Sequence, residues 1–214
     1  MRTEARFERL SPNEAWAEGS ELWLAEPPEG GTEELDGTAI LVLPRGRSDA
    51  ESCLERCAEA ARSGAVVLVL GADDASDREA VARLDGAARW LIEHAHLAPR
   101  SLAVVGWGRG GTRAFLAACT STRFGAAANL GGPVLYPELD AERPTQPLEL
   151  SLNLDLPLLV IAPEESEETV LLRRTLADAN KDAEVEVLAD PGEPGTAWDE
   201  AAWQRTLRFL SERL

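Results

Sequence analysis

Leu102-Ala103-Val104-Val105-Gly106-Trp107-Gly108-Arg109-Gly110-Gly111-Thr112 decides the architecture of this chain. The apolar run 102–105 reads as a buried strand, 106–111 as a glycine-rich turn, and about 112–121 as a helix. A strand that passes straight into a helix is the building unit of a parallel sheet. Upstream, Ala39–Leu43 is a short buried strand ended by Pro44 and Gly46, and residues 49–63 carry Leu54, Cys57, Ala58 and Ala61 at helical spacing. Ala65–Leu70 is the next strand. Residues 76–97 form a helix with Val81, Leu84, Ala88 and Leu91 on one face.

Downstream the alternation continues. Ala126–Leu130 and Leu158–Ile161 read as buried strands, 131–155 as irregular chain, 167–179 as a helix and Glu184–Leu188 as a last strand. Residues 199–213 close the sequence as an amphipathic helix with Trp203, Leu207 and Leu210 inward. Near-continuous apolar strands alternating with helices predict an α/β fold, a mostly parallel sheet with helices on both faces. Residues 1–37 are polar except Leu22–Ala25, which reads as an edge strand before Pro27 and Pro28. They form an N-terminal strand and loop extension packed on the domain of residues 38–214.

Composition narrows the function classes. Acidic residues outnumber basic ones 38 to 21, giving a net charge of −17, which repels nucleic-acid backbones and anionic lipid. No apolar run is long enough to span a bilayer, and the charged start Met1-Arg2-Thr3-Glu4 has no signal-peptide core, so a cytoplasmic location is expected. Cys53, Cys57 and Cys119 lack disulfide or zinc spacing and read as small buried hydrophobes. No metal and no cofactor is expected.

The cluster 106–111 fits two patterns. As Gly-x-Gly-x-x-Gly it matches a dinucleotide fingerprint. It follows the third strand of the alternating region rather than the first, however, and the next strand ends in Asn129-Leu130 with no acid for a ribose. The same residues fit Gly-x-nucleophile-x-Gly-Gly, an elbow whose small residues let a strand turn sharply into a helix. Gly108 then occupies the nucleophile position.

With its flanking segments this elbow resembles the dienelactone hydrolase family of α/β-hydrolases, and the resemblance covers most of the chain. Residues 104–111 resemble that family's Gly-Phe-Cys-x-Gly-Gly. Residues 127–133 are similar to its next strand, 156–161 to the strand before its acid, and 202–210 to its final helix. The resemblance implies an α/β-hydrolase-like three-layer sandwich and acyl transfer by a nucleophile, a histidine base and an orienting acid. It puts Gly108 at the nucleophile position, Ser166 at the acid position and Pro194 at the histidine position, with Glu164 or Glu165 as substitute acids after a loop shift. Segment 191–198 contains no histidine. His94 and His96 end the helix before the elbow strand, near the amino ends of the strands. Cys119, Ser101, Thr120, Ser121 and Thr122 read as structural.

A non-catalytic dienelactone hydrolase-like protein (a pseudoenzyme) is therefore expected, acting through binding of a small anion or of a protein partner. The candidate pocket is Arg45, Trp107, Gly108 and Arg109, where two arginines near one helix N-terminus would hold a carboxylate or another small anion. Otherwise the two arginines pair with nearby acids such as Asp49 or Glu165. Trp107 and Trp198 read first as packing residues. Two alternatives stay open: a carboxylic-ester hydrolase with a displaced site, and a nucleotide-binding protein using the glycine cluster. A homo-oligomer is compatible with the pattern.

Overall fold

Strands that are apolar on both faces are stable only where both faces are covered, and five such runs lie side by side in the centre of this protein. The structure, a computed structural model, describes residues 5–10, 15–18, 21–46, 49–72, 74–141, 143–188 and 197–214. Its strands are β1 (Glu8–Leu10), β2 (Leu22–Ala25), β3 (Ala39–Leu43), β4 (Val66–Leu70), β5 (Leu102–Trp107), β6 (Ala126–Leu130), β7 (Leu158–Ala162) and β8 (Ala183–Val187). They form one sheet in the order β1-β2-β4-β3-β5-β6-β7-β8. β1 and β2 run antiparallel to their neighbours, and β4 through β8 are parallel.

The helices are α1 (Ala50–Arg62), α2 (Asp77–His94), α3 (Arg109–Thr120), α4 (Pro147–Leu150), α5 (Glu167–Asp178) and α6 (Ala197–Arg213). Alternation along each strand sends successive side chains to opposite faces. Leu41, Leu43, Leu68 and Val104 pack with Leu84 and Leu91 of α2, Phe115 of α3 and Leu172 of α5. Ile40, Val42, Val69, Val105 and Trp107 pack with Cys53 and Cys57 of α1 and Trp203 and Phe209 of α6. The result is a three-layer sandwich with α1 and α6 on one face and the other helices on the opposite one. No helix among the described residues is long and apolar enough to cross a membrane.

Three expectations need correction. Leu22–Ala25 is not the edge: β1 pairs outside it, Glu8 opposite Leu24 and Leu10 opposite Leu22. A three-residue strand reading Glu-Arg-Leu carries too little apolar pattern to be seen, and its short, charged form suits an exposed edge. Helix α3 begins at Arg109, three positions earlier than about 112, because Gly110 and Gly111 belong to its first turn. A Cβ on Gly110 would stand 2.5 Å from the carbonyl oxygen of Leu43, and one on Gly111 would strike the Asn129 side chain. Those glycines serve close helix–strand packing at the cost of helix propensity. Finally, the stretch 131–155 contains α4 and a short 3-10 turn, Ser151–Asn153, with Leu148 and Leu154 in the core.

Candidate functional site

In an open parallel sheet, ligands sit beyond the carboxyl ends of the strands where the strand order reverses. Here β4 lies on one side of β3 and β5 on the other, so that point falls between β3 and β5. Arg45 follows β3 by two residues and Gly108 follows β5 directly. The sequence pattern and the topology therefore converge on the same place.

Gly108 adopts φ 51° and ψ −123°, a conformation that side-chain-bearing residues rarely take. Its N–H donates to the Leu130 carbonyl at 2.8 Å, and its own carbonyl accepts from Thr112 N at 3.1 Å. The sharp elbow is thus kept with no side chain at its tip. The space over that tip is occupied by Arg45: a Cβ on Gly108 would lie 2.8 Å from Arg45 Cγ.

Arg45 is held there by Asp199, in the first turn of α6. Its Nη2 donates to Asp199 Oδ1 at 3.1 Å, and Arg56 Nη2 lies 3.6 Å from Asp199 Oδ2. The Arg56 guanidinium sits 5.5 Å from the Trp107 ring centroid, and Trp107 in turn packs on Trp203 at 5.4 Å. Trp107 is buried beneath the elbow, and Trp198 is buried with its Nε1 donating to the Leu188 carbonyl at 2.7 Å. An anion at the front of α6 also suits the positive end of the helix dipole.

Arg109 turns the other way. Its Nη2 donates to the Ala75 carbonyl at 2.9 Å and its Nε to Asp77 Oδ1 at 3.5 Å, on the α2 side of the sheet. The two arginines expected to converge on one anion instead face opposite layers, each on a carboxylate. Those carboxylates are Asp199 and Asp77, not the Asp49 or Glu165 nearer in sequence. Glu165 is paired with Arg173 at 2.9 Å.

Asp77 is a hub that sequence reasoning missed. It accepts from Arg113 Nε at 3.2 Å and from the Tyr136 hydroxyl at 2.7 Å, besides Arg109. Burial alone would push its carboxyl up, but the Tyr136 hydroxyl and the two guanidiniums together hold it below its usual 3.8. A depressed carboxylate stabilises the fold above its unfolded-state pKa, and that contribution fades as pH falls through the folded value. Asp77→Asn is therefore expected to destabilise the protein at about pH 7 and to destabilise it by less at about pH 3. Urea titrations at both pH values check this; an equal deficit at both would remove the carboxylate's charge from the explanation.

Tyr136 belongs to the loop after β6, pinned by Gln146, which accepts from Tyr136 N at 2.6 Å and donates to Tyr136 O at 3.0 Å. A faint signal was present in the sequence, for this is the chain's only tyrosine. Nothing local marked Asp77, which reads as an ordinary first-turn acid beside the Ser76–Glu79 capping box. Only the strand order reveals its role, by setting α2 beside α3.

The remaining candidates have structural partners. Ser166 is the N-cap of α5, accepting from Thr169 N at 3.2 Å. Glu168, which the sequence did not single out, reaches back to the backbone N–H groups of Val134 and Leu135. Pro194 lies outside the described residues. His94 stacks on Trp90 at 4.6 Å and lies 3.4 Å from Glu26. It ends α2 at the amino-terminal rim, about 20 Å of strand away from Gly108. Burial pushes the Cys119 thiol up to about 12, and burial beside Cys53 pushes Cys57 up as well, so neither is poised as a thiolate. Gly110 and Gly111 are buried against the protein rather than open to a diphosphate. Among the described residues, no group of three or more His, Cys, Asp or Glu could hold a metal.

Two cavities border the elbow. One, of about 200 Å³, lies between the ends of β6 and β7 and is lined by Gly131, Val134, Glu164, Ser166 and Thr169. The other, of about 480 Å³, opens on the α2 side between Arg109, Thr112, Tyr136 and Arg143.

Solved structures share this architecture. A protein of Klebsiella pneumoniae subsp. pneumoniae MGH 78578 assigned as a dienelactone hydrolase superposes with a TM-score of 0.78 at 19% identity, over 97% of this chain and 99% of that one. A dienelactone hydrolase-like promiscuous phosphotriesterase from metagenomic libraries gives 0.72 at 18% identity, over 98% of both chains. A Pyrococcus horikoshii acylaminoacyl peptidase gives 0.71 at 14% identity, but this chain spans only 42% of its length. No protein-family model and no curated protein matches the chain. Likeness at such identities is likeness of fold. With its strand order, its elbow and these neighbours, the chain has the α/β-hydrolase fold in the form seen in dienelactone hydrolase structures.

Proposed function

We propose that this protein is a non-catalytic relative of dienelactone hydrolase that acts by binding a small anion, or a protein partner, instead of cleaving an ester. One observation carries the proposal: the elbow is retained in a conformation that a side-chain-bearing residue rarely adopts, while its tip is a glycine covered by the Arg45 stem. Acyl transfer needs an attacking side chain and a base within hydrogen-bond reach of it. Gly108 supplies no attacking atom, and the chain's only imidazoles, His94 and His96, belong to the far rim. Its acidity argues against nucleic-acid and anionic-membrane partners, and three buried thiols suit a reducing cytoplasm.

The expected result with a panel of short p-nitrophenyl esters is no turnover above buffer. Turnover that disappears on mutating residues around the elbow would overturn the proposal in favour of a hydrolase with a displaced site.

A further inference from the structure

Two thiols face each other along α1, in the layer that α1 and α6 form against the sheet. Cys53 and Cys57 are four residues apart, so their side chains stand one turn above the other. Their Sγ atoms lie 3.8 Å apart, and both residues are buried. We infer that this pair is a two-coordinate site for a soft monovalent metal ion of the Cu(I) type, held between the two sulfurs as thiolates beside Arg56 and Trp107. The site is independent of the binding role proposed above.

Helix geometry decides what can join the two sulfurs. Residues four apart keep their Cβ atoms about 5–6 Å from each other. A disulfide needs about 3.5–4.5 Å there and an S–S bond of about 2.05 Å, so a direct bond would distort the helix. One bridging atom fits without distortion. An in-line bridge with metal–sulfur bonds just under the ~2.3 Å of zinc–thiolate sites sets its sulfurs about 4.3 Å apart. Small χ1 rotations from the resting 3.8 Å reach that separation. Two sulfurs complete such a coordination, whereas zinc calls for four donors. Asp49 and Asp199 border the same crevice as Cys53, but their oxygens are hard donors, poorly matched to a soft ion.

The surroundings lack an acceptor. Arg56 Nε and Trp107 Nε1 are buried donors with no hydrogen-bond partner, and both residues border that crevice, which is too small for a water molecule. A buried donor left unpaired is costly, and a neutral thiol is too weak an acceptor to satisfy it. A thiolate is a strong acceptor. At rest, burial first and then the contact with Cys53 keep the Cys57 thiol protonated, while the Arg56 guanidinium works in the other direction. An entering ion displaces both protons: one monovalent cation and two thiols give a singly negative bis-thiolate and two protons released to solvent, with no electron transferred. That negative charge forms beside Arg56, whose Nη2 is engaged with Asp199 and whose Nε is open to donate. The way in is the first turn of α1. Cys53 belongs to it, and the N-cap Asp49 makes no side-chain capping bond, so this end of the helix opens most readily.

Anaerobic titration of the full chain with Cu(I), supplied as its coloured bicinchoninate complex under ascorbate, tests this through the loss of visible absorbance. The wild-type protein is expected to withdraw one Cu(I) per chain and to release two protons for each ion taken up. Cys53→Ser and Cys57→Ser should each abolish the transfer, because a hydroxyl is a hard donor. Cys119→Ala should leave it at one ion per chain. Arg56→Gln should weaken the affinity by at least about tenfold, the loss expected for one charge-assisted hydrogen bond. Equimolar Zn(II) should not displace the bound Cu(I), since the site offers it only two sulfurs. If one serine variant fails to fold, the other carries the assignment, and the proton count needs no variant. No withdrawal of Cu(I), withdrawal that persists in both serine variants, its loss in Cys119→Ala, or displacement by Zn(II) would overturn the inference.

Discussion

Asp199→Ala is expected to lower the stability of the protein by about 3–5 kcal/mol, the loss expected when a buried ion pair is broken from one side. The Asp199 side chain is 4% exposed and lies between Arg56, 12% exposed, and Arg45, 31% exposed. Removing it leaves the Arg56 guanidinium buried on Trp107 with its nearest counter-charge gone, which costs more than the pair ever contributed. Arg45 is open enough to be partly rehydrated, so Arg56 accounts for most of the deficit. For a chain of this length the melting temperature should fall by on the order of 10 °C. Glu21→Ala is the contrasting case. It breaks a bridge to Arg9 whose partners are 65% and 57% exposed, and it should cost less than about 1 kcal/mol. Urea unfolding of the three proteins measures both values. A result for Asp199→Ala within about 0.5 kcal/mol of wild type would mean that the cluster under the elbow is not closed.

Much of this fold was legible because its strands are buried on both faces. Ala39–Leu43 and Ala126–Leu130 were placed to the residue, since a run of uninterrupted apolar side chains has sharp ends. Where local preference and tertiary need disagree, legibility failed. The start of α3 was hidden by two glycines whose use is contact with Leu43 and Asn129, a fact of packing and not of propensity. β1 was hidden because an edge strand of three residues must be polar to stay unpaired outside. The elbow itself was legible from spacing, and so was the absence of a side chain at Gly108. The directions of Arg45 and Arg109 were not. They depend on Asp199 and Asp77, which lie 154 and 32 positions away and reach the site only through the strand order.

That same geometry sets the outcome of putting a nucleophile back. Gly108→Ser places a side chain at φ 51° and ψ −123°, a conformation costing about 1–3 kcal/mol for a residue with a Cβ. Enzymes accept such strain when the hydroxyl does chemistry; here the new Cβ also meets Arg45 Cγ at 2.8 Å. Cγ is near the root of that side chain, so it cannot withdraw without Arg45 leaving Asp199. Overpacking of this kind adds about 1–3 kcal/mol. Arg45→Ala removes the obstructing atom, and the cost of Gly108→Ser should then fall to the backbone strain alone. The double-mutant cycle is thus expected to show a coupling of about 1–3 kcal/mol between positions 45 and 108. A coupling near zero would mean that Arg45 does not cover the elbow. Neither Gly108→Ser nor the double variant should hydrolyse p-nitrophenyl esters, because uncovering a hydroxyl does not activate it. The proton still needs a base, and the only imidazoles in the chain sit beyond the opposite ends of the strands. Turnover in the double variant would locate a base among the elbow's neighbours and make the covering arginine, not the missing histidine, the reason for silence.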